Sequence, residues 1–238
     1  MINGIYSGAA AMDVLAQQQV IISDNLMHAN SSGHRKKVAG VAQRFDKDLA
    51  NLNLDLGPEV ALETRDFKQG RMIQTDRALD ITIHGDGFFA FEKNTQEYLT
   101  RDGRLYRDAE TGNLINAEGF PLQGENGPIT IDSDISDRVV TVASDGTISA
   151  EGNELGKLKI VSFADNRKLL SDGEIGFVRG PAAVEVPSNV TLGQFEHELS
   201  NVEPVSELVA LIINSRQHQA LERATRTISE ALGEHIRG

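Results

Sequence analysis

The segment 200–238 carries the pattern that most limits what this chain can fold into. Apolar residues recur there at alternating steps of three and four, which is the period of a coiled-coil seam. No Gly or Pro interrupts the run from 205 to 232. Ser200 or Asn201 can cap its start, and Ser200 with Glu203 can form a capping box. The pattern predicts one long amphipathic helix that needs a partner. Its seam residues are Leu208, Leu211, Ser215, His218, Leu221, Thr225, Ile228 and Leu232.

Residues 4–29 are the natural partner for this helix, because they repeat the same alternation without a proline. Their seam is rich in Ala, Gln and Ser, which permits close helix approach but contributes little hydrophobic free energy. Isolated helices of this kind are marginal in water, so we expect both terminal helices to order on assembly. The alternative, an ordinary antiparallel helix pair packed on the rest of the chain, stays open. The large apolar residues of this segment are Ile5, Met12 and Leu26 on the seam, with Leu15 and Ile22 beside it.

The middle of the chain has the texture of an all-β domain. Short runs of alternating apolar and polar residues are separated by tight-turn signals such as Asp102-Gly103 and Asp145-Gly146. The predicted fold is therefore mainly β, with a central β domain inserted between N- and C-terminal helices that pair as a coiled coil on assembly. The predicted division is 1–40 plus 196–238 for the terminal helical assembly region, 41–58 for a connecting segment and 59–195 for the β domain.

Composition and charge exclude several functions. The net charge of −12 argues against non-specific binding to nucleic acid or to anionic membranes. The chain has no Cys, which excludes thiolate metal sites and cysteine nucleophiles. Its apolar runs are all shorter than the roughly 18 residues of a membrane span. The short basic run at 34–37 (HRKK) is typical of a solvated face.

The sequence offers no convincing catalytic or metal-ligating constellation. The six His residues are scattered, with no pair at zinc-ligand spacing near a third. Asp132, Asp134 and Asp137 have D-x-D spacing, but the glycine and distal glutamate of a calcium loop are absent, which favours an acidic solvated loop. We therefore expect no enzyme activity, no cofactor, no metal and no small-molecule substrate. A secreted hydrolase that uses paired carboxylates, Asp80 or Asp86 among them, is kept as an alternative.

Four stretches, 5–36, 67–92, 98–124 and 199–220, carry short motifs. In the order and content of these motifs the chain resembles the bacterial flagellar axial proteins of the rod and hook family. The lack of a large second β domain makes it more similar to the rod proteins than to the hook protein, and the short chain is most similar to the proximal rod subunit and next to the distal one. The motif residues are Asn25, Leu26, Asn30 and Gly33 in the first stretch, Gly85, Gly87, Phe88 and Phe89 in the second, and Ser200, Asn201 and Val202 in the fourth.

The resemblance implies a structural subunit of the flagellar basal-body rod. Such proteins are exported unfolded through the flagellar type III apparatus and polymerise through their terminal helices into the axial drive shaft, which transmits motor torque to the hook. The implied partners are copies of the chain, other rod and hook subunits and the export apparatus. The implied location is the basal body, where the rod spans the periplasm. The N-terminus has no basic n-region, so we expect export without a cleaved signal peptide.

Two further expectations have open alternatives. Phe45 and Leu49 resemble the short hydrophobic export signal of the family's rod and hook proteins, or they simply share one helix face.

The alternative function is a secreted β-rich module that binds a polysaccharide such as peptidoglycan. That alternative predicts an exposed groove of polar and aromatic side chains on the β domain.

Overall fold

The structure is a computed structural model that describes residues 2–43 and 58–237, with side chains described over 7–41 and 63–231. The fold is mainly β with one long helix towards each end, which confirms the predicted class. Helix α1 is Ile2–Met27 and helix α2 is Pro204–Arg237. The chain divides into two compact units. The helical unit is Met1–His28, Lys36–Asp66 and Val202–Gly238, and the β unit is Ala29–Arg35 and Phe67–Asn201.

In the helical unit, α1 and α2 pack against each other in antiparallel directions. Near the start of α1, a Cβ on Gly8 would lie 3.0 Å from Thr225 Oγ1. Further along, the Asn214 side chain donates a hydrogen bond of 3.1 Å to the Leu15 carbonyl. Small and polar residues therefore sit where the helices approach most closely, as expected from the composition of the N-terminal seam. The ordering of these helices on assembly stays a prediction.

The helical unit also contains an antiparallel strand pair, β1 (Lys37–Gln43) and β2 (Pro58–Arg65). The sequence pattern predicts no strand before residue 59, so β1 is a strand that the prediction lacks. Its sequence, KVAGVAQ, is rich in small residues, and the register shifts between Gly40 and Val41. A bulge of this kind breaks the strict alternation on which strand prediction depends.

Helix α2 begins later than the sequence predicts. Its first residue is Pro204, which has no N–H to leave unsatisfied at that position. Ser200 and Asn201 are not the helix cap. Ser200 is buried in the β unit, and the Asn201 side chain donates 3.0 Å to the Lys68 carbonyl. The capping-box prediction was therefore wrong, because the helix starts at Pro204, four residues after Ser200.

The β unit is built from short antiparallel strands. Its largest sheet has six strands in the order β15-β16-β6-β5-β14-β17, and β11, β12 and β13 form a three-stranded sheet. The remaining strands form the pairs β18-β4, β19-β3, β7-β8 and β10-β9. The strands are β3 Met72–Gln74, β4 Ile81–His84, β5 Phe88–Lys93, β6 Gln96–Thr100, β7 Tyr106–Arg107, β8 Leu114–Ile115, β9 Gln123–Gly124, β10 Gly127–Pro128, β11 Val140–Val142, β12 Thr147–Ala150, β13 Asn153–Lys157, β14 Ile160–Phe163, β15 Leu170–Asp172, β16 Gly176–Val178, β17 Glu185–Val186, β18 Thr191–Gln194 and β19 Glu196–Glu198.

Strand β5 divides the core of the β unit into two clusters. Alternate side chains of a strand point to opposite faces, so Phe89 and Phe91 enter one cluster while Phe88 enters the other. The Phe88 ring lies 5.7 Å from the Phe177 ring, centroid to centroid, in an edge-on arrangement. The continuous apolar run of β5 therefore indicates a strand that is buried on both faces.

Among the residues that the structure describes, no helix combines the length and the hydrophobicity needed to cross a bilayer.

Candidate functional site

Helix α2 has a second apolar face, on the side opposite its contact with α1. At about 100° per residue, the positions that contact α1 centre on Asn214, and an exposed apolar set lies across the helix from them. We call this set the apolar stripe. Beyond it the same face becomes polar, with Arg216 and Arg223 exposed. The stripe consists of Val205 (74% exposed), Leu208 (46%), Val209 (51%), Ile212 (55%) and Ile213 (50%).

The residues predicted for the assembly interface fall into three groups. Half-buried side chains are those of Met12, Leu15, Ile22, Leu26, Leu211 and Leu221. Exposed side chains are those of Leu208, in the stripe, and Ile228 at 37%. Ile5 and Leu232 lie in α1 and α2, but their side chains are outside the described part. The candidate export residues Phe45 and Leu49 lie outside the described residues. Their shared role in assembly or export stays a prediction.

A polar clamp joins the end of α1 to the start of α2 and to β1. The Asn25 side chain is buried; it donates 2.9 Å to the Lys37 carbonyl and accepts 2.8 Å from the Lys37 N–H. Its amide also lies 3.4 Å from the carboxylate of Glu207, which is itself buried and is paired with Lys36. Asn25 thus uses both ends of its amide to fix three elements.

The basic run at 34–37 is not a solvated face, so that interpretation was wrong. Each of its three long cations has an acidic partner: Arg35 with Glu198, Lys36 with Glu207 and Lys37 with Asp24. Arg35 is 1% exposed and His34 is fully buried, with Nδ1 3.1 Å from the Glu174 carbonyl. A single-sign run looks solvated in sequence because its partners are distant in the chain.

In the β unit, Glu198 at the end of β19 is the centre of a buried charge cluster. One carboxylate oxygen accepts 2.8 Å from Arg35 and 2.6 Å from the Gly70 N–H. The other lies 3.4 Å from Arg101, and the Glu198 carbonyl accepts 3.0 Å from the Gly33 N–H. The three charged side chains are at most 2% exposed. One residue therefore bonds to three separate parts of the sequence, at 33–35, at Gly70 and at Arg101.

The cluster holds two cations against one carboxylate. Burial lowers the pKa of the Arg101 guanidinium to about 10, and the neighbouring charge of Arg35 lowers it too, while Glu198 opposes the shift. Arg101 remains charged at neutral pH. It meets part of its bonding requirement by donating to the carbonyls of Ile83 and Gly85, both near the end of β4. Charge-assisted bonds to backbone carbonyls are what make the excess cation tolerable inside the protein.

Two glycines permit the close approach on which the cluster depends. Gly33 has a φ of 72°, and a Cβ there would lie 2.4 Å from the Asp102 backbone nitrogen. At Gly70 a Cβ would lie 2.0 Å from the Leu199 carbonyl oxygen. Side chains essentially never tolerate such distances, so glycine is required at both positions for this packing.

The acidic loop 132–137 is closed by an arginine. Arg107 donates 2.6 Å to the Ile135 carbonyl and 3.3 Å to the Asp132 carbonyl, and its Nε lies 3.3 Å from the Asp137 carboxylate. Arg107 therefore joins strand β7 to two backbone carbonyls and one carboxylate of this loop.

Comparison with known proteins identifies the family. The family described as "Flagellar hook protein FlgE/F/G D1 domain" matches residues 82–150. The "Flagellar basal-body rod protein FlgF" of Caulobacter vibrioides is 30% identical over 237 residues, which cover 97% of this chain and 95% of that protein. The chain belongs to the flagellar hook and rod protein family. FlgF of Salmonella typhimurium is 28% identical with 98% and 96% coverage, and FlgG of Agrobacterium fabrum is 27% identical with 93% and 94%.

Most residues of the flagellar family motifs have an identifiable structural role. Asn25 forms the clamp, Gly33 donates to Glu198, and Phe88 and Phe89 fill the two cores. The Gly85 carbonyl accepts from Arg101. The remaining motif residues are placed as follows: Leu26 is half-buried, Asn30 is exposed, Gly87 is buried beside Ser162, Ser200 and Val202 are buried, and Asn201 bonds to the Lys68 carbonyl.

The comparisons give no support to the alternative of a polysaccharide-binding module. All three relatives are named as flagellar basal-body rod proteins. Among the side chains described here, the exposed aromatic rings are Tyr106 and Phe195, at 39% and 44%. Tyr106 is covered on one face by the Arg77 guanidinium, 4.7 Å from the ring centre. Asp80, considered for hydrolysis, is buried and lies 3.1 Å from Arg77.

Sequence reasoning missed Glu198 and Arg101, which lie in the buried charge cluster of the β unit in this flagellar family member. A signal was present: Glu198 precedes the Ser-Asn-Val motif by two residues, and Arg101 lies within the third motif stretch. Charged residues next to apolar motif positions can be buried when each has a partner of opposite sign. Their pairing could not be predicted, because the partners are 97 residues apart.

Proposed function

We propose that this chain is a structural subunit of the bacterial flagellar basal-body rod and polymerises through its terminal helices into the axial drive shaft that transmits motor torque to the hook. One observation carries the proposal. The match to a protein named as a basal-body rod protein covers nearly the whole of both chains, at 97% and 95%. Both the helices and the β unit are therefore included in the similarity.

The exposed stripe on α2 supports a role for this helix in assembly. Full burial of a large aliphatic side chain contributes about 1.5–3 kcal/mol. The stripe residues are roughly half exposed, so each has on the order of 1 kcal/mol to gain from being covered. An apolar patch of contiguous residues on an otherwise charged helix is typical of a protein–protein contact. Another axial subunit is the partner that the family implies.

The finer parts of the proposal rest on the family resemblance. We assign the chain to the proximal rod, with copies of itself and other rod and hook subunits as neighbours, in a basal body that spans the periplasm. The assembly region is taken as 1–40 plus 196–238, the connecting segment as 41–58 and the β domain as 59–195. The role is structural, without catalysis, because the relatives carry the names of rod components.

Export is proposed to use the flagellar type III apparatus. Phe45 and Leu49 have the four-residue spacing of the family's hydrophobic export signal. Replacing both with Ala is expected to reduce the amount of chain exported, measured by immunoblot of periplasmic and cytoplasmic fractions. Leu52→Ala is the matched control, a nearby leucine outside the motif. Equal export of the double variant and the control would contradict this role.

The proposed function is tested by complementation of a deletion strain. Purified hook–basal bodies are analysed by mass spectrometry, and motility is scored on soft agar. The wild-type chain is expected in the basal bodies and is expected to restore motility. Val209→Asp, which puts a charge in the stripe, is expected to abolish both. Thr227→Asp, exposed on the same helical face five turns later, is the control and should behave as wild type. Absence of the wild-type chain from basal bodies would contradict the function itself.

A further inference from the structure

The turn at 124–127 closes the hairpin of β9 and β10 in the β unit. It has the sequence Gly-Glu-Asn-Gly, and Gly124 pairs with Gly127 in the antiparallel register. Asn126 is exposed, and its side chain makes no hydrogen bond to any residue that the structure describes. Gly127 has a φ of 121°, and a Cβ placed on it would meet nothing within 4 Å. The side-chain amide of Asn126 and the backbone that follows it are therefore both uncrowded.

Asparagine is one of the chemically labile residues of proteins, and a following glycine favours loss of its amide without any enzyme. The glycine nitrogen gives its proton to solvent and attacks Cγ of the asparagine. The new N–C bond closes a cyclic succinimide, and ammonia leaves. Water then opens the ring at either carbonyl. The products are aspartate, or isoaspartate in which the main chain runs through the former side chain, and the net change is water consumed and ammonia released.

We propose that Asn126 is a site of spontaneous deamidation, with the Gly127 nitrogen as the nucleophile and water as the co-reactant. Glycine has no side chain to crowd the attacking nitrogen, and its backbone reaches conformations that other residues rarely adopt. The side-chain carbonyl of Asn126 is open to solvent and is not held by a hydrogen bond within the described part of the chain. This chemistry goes beyond the role in the rod and does not depend on it.

Two other asparagines near this hairpin lack the combination. Asn116 is 6% exposed, and its side-chain oxygen accepts a hydrogen bond of 2.8 Å from the Phe120 N–H. The side-chain oxygen of Asn113 accepts 2.9 Å from the Thr130 hydroxyl. Each of the two asparagines is followed by a residue with a side chain. Both carbonyl groups are held in place, so we expect both to react slowly.

Asn94 gives the sharpest comparison, because it differs from Asn126 mainly in the residue that follows. It is exposed at the tip of the β5–β6 hairpin, but the next residue is Thr95. A β-branched side chain is bulky and stiff close to the backbone, so it crowds the attacking nitrogen. The other Asn-Gly pair, Asn3-Gly4, lies in α1. Helical torsion angles hold the glycine nitrogen away from the side-chain carbonyl there.

Both products change the hairpin. Aspartate at 126 adds a negative charge beside Glu125, whose carboxylate lies 3.5 Å from the Lys157 ammonium. Isoaspartate adds a methylene group to the main chain of the turn. Gly124 has little room to accommodate this, because a Cβ there would lie 2.5 Å from the side chain of Ile129, a buried core residue. We therefore expect isoaspartate to loosen the pairing of β9 with β10.

The test follows the full-length chain during incubation in mildly alkaline buffer. Samples are digested with trypsin and analysed by mass spectrometry. Cleavage after Arg107 and Arg138 places Asn113, Asn116 and Asn126 in one peptide, so the buried and bonded asparagines are internal controls. Fragmentation by electron transfer locates each lost amide and distinguishes isoaspartate from aspartate.

Asn126 is expected to lose its amide about tenfold faster than Asn94, a barrier difference of about 1.4 kcal/mol, and to give both products. Gly127→Ala is expected to slow this loss. Gly152→Ala is the matched control and should leave it unchanged, since Gly152 also has a positive φ and open space around its Cβ position. Circular dichroism checks that each variant retains its strands.

Loss at Asn126 no faster than at Asn94 in the wild-type chain would overturn the proposal, whatever the variants do. A folded Gly127→Ala chain that loses the amide at the wild-type rate would also overturn it. Aspartate formed without isoaspartate would show that water attacks the side chain directly, which contradicts the role of the Gly127 nitrogen.

Discussion

The two units of this chain differ in how far they bury their apolar side chains. The β unit encloses its large apolar residues, and Ile81, Phe89 and Phe91 are all fully buried. The helical unit leaves several aliphatic residues uncovered, with Val209 and Ile212 about half exposed. Where its helices do meet, they use Gly8, Thr225 and the buried amide of Asn214.

This difference indicates which unit forms its apolar core within one chain. A core of buried aromatic and branched side chains supplies most of the free energy that offsets chain entropy. The β unit has such a core within one chain. The helical unit has a thin seam of small and polar groups and an uncovered stripe, so much of its stabilising surface is left for a neighbour. Variants in each unit test this contrast.

The largest expected effect is in the charge cluster of the β unit. Glu198→Ala leaves Arg35 and Arg101 buried without their carboxylate, and breaking a buried pair in this way costs about 3–5 kcal/mol. The free energy of unfolding is measured by urea denaturation with near-UV circular dichroism as the probe. Arg167→Ala, which removes the exposed partner of Asp165, is the control and is expected to give no measurable change. A loss below about 1 kcal/mol for Glu198→Ala would mean that the cluster does not stabilise the unit.

A smaller loss is expected when the close approach at Gly33 is blocked. Gly33→Ala and Gly152→Ala both force a non-glycine residue to adopt a positive φ, 72° and 83°, at a cost of roughly 1–2 kcal/mol. A Cβ at Gly152 meets nothing within 4 Å, whereas at Gly33 it meets the backbone of Asp102. The clash adds about 1–3 kcal/mol. Equal midpoints for the two variants in thermal unfolding would show that the packing around Gly33 is looser than described.

The smallest effect is expected in the helical unit, and it has the opposite sign. Asn214 Oδ1 is buried without a hydrogen-bond partner, so Asn214→Leu removes an unsatisfied polar atom from the seam. The helical unit is expected to gain about 1 kcal/mol, measured as a higher midpoint of helix unfolding at 222 nm. The same change removes the bond that fixes the register against Leu15. A lower midpoint would show that the register bond matters more than the buried oxygen.

Much of the fold followed from sequence periodicity. The three-four alternation located both helices, and the turn dipeptides located most strands of the β unit, because both patterns are local consequences of backbone geometry. Strand β1 was not predicted because its bulge and its small residues interrupt the alternation of apolar and polar residues. The start of α2 was predicted too early because Ser200 is buried in the β unit and the Asn201 side chain donates to the Lys68 carbonyl there.

The candidate site was less predictable than the fold. Periodicity identified Leu208 as apolar and helical and placed it on the seam, but Leu208 is 46% exposed, and the positions buried against α1 include the polar residues Glu207 and Asn214. The run of Arg35, Lys36 and Lys37 looked solvated because each partner is far away in sequence. Long-range pairing depends on topology, which a single sequence does not display.

Hydrogen–deuterium exchange of the full-length chain, as a dilute monomer and in its assembled form, tests the central claim most directly. The account predicts a large gain in protection on assembly for α2 across the apolar stripe, Val205 to Ile213. It also predicts little change for β5 and β6, which are already buried in the monomer. Stripe amides protected to the same degree in both forms would contradict the view that the helical unit is completed by a neighbouring subunit.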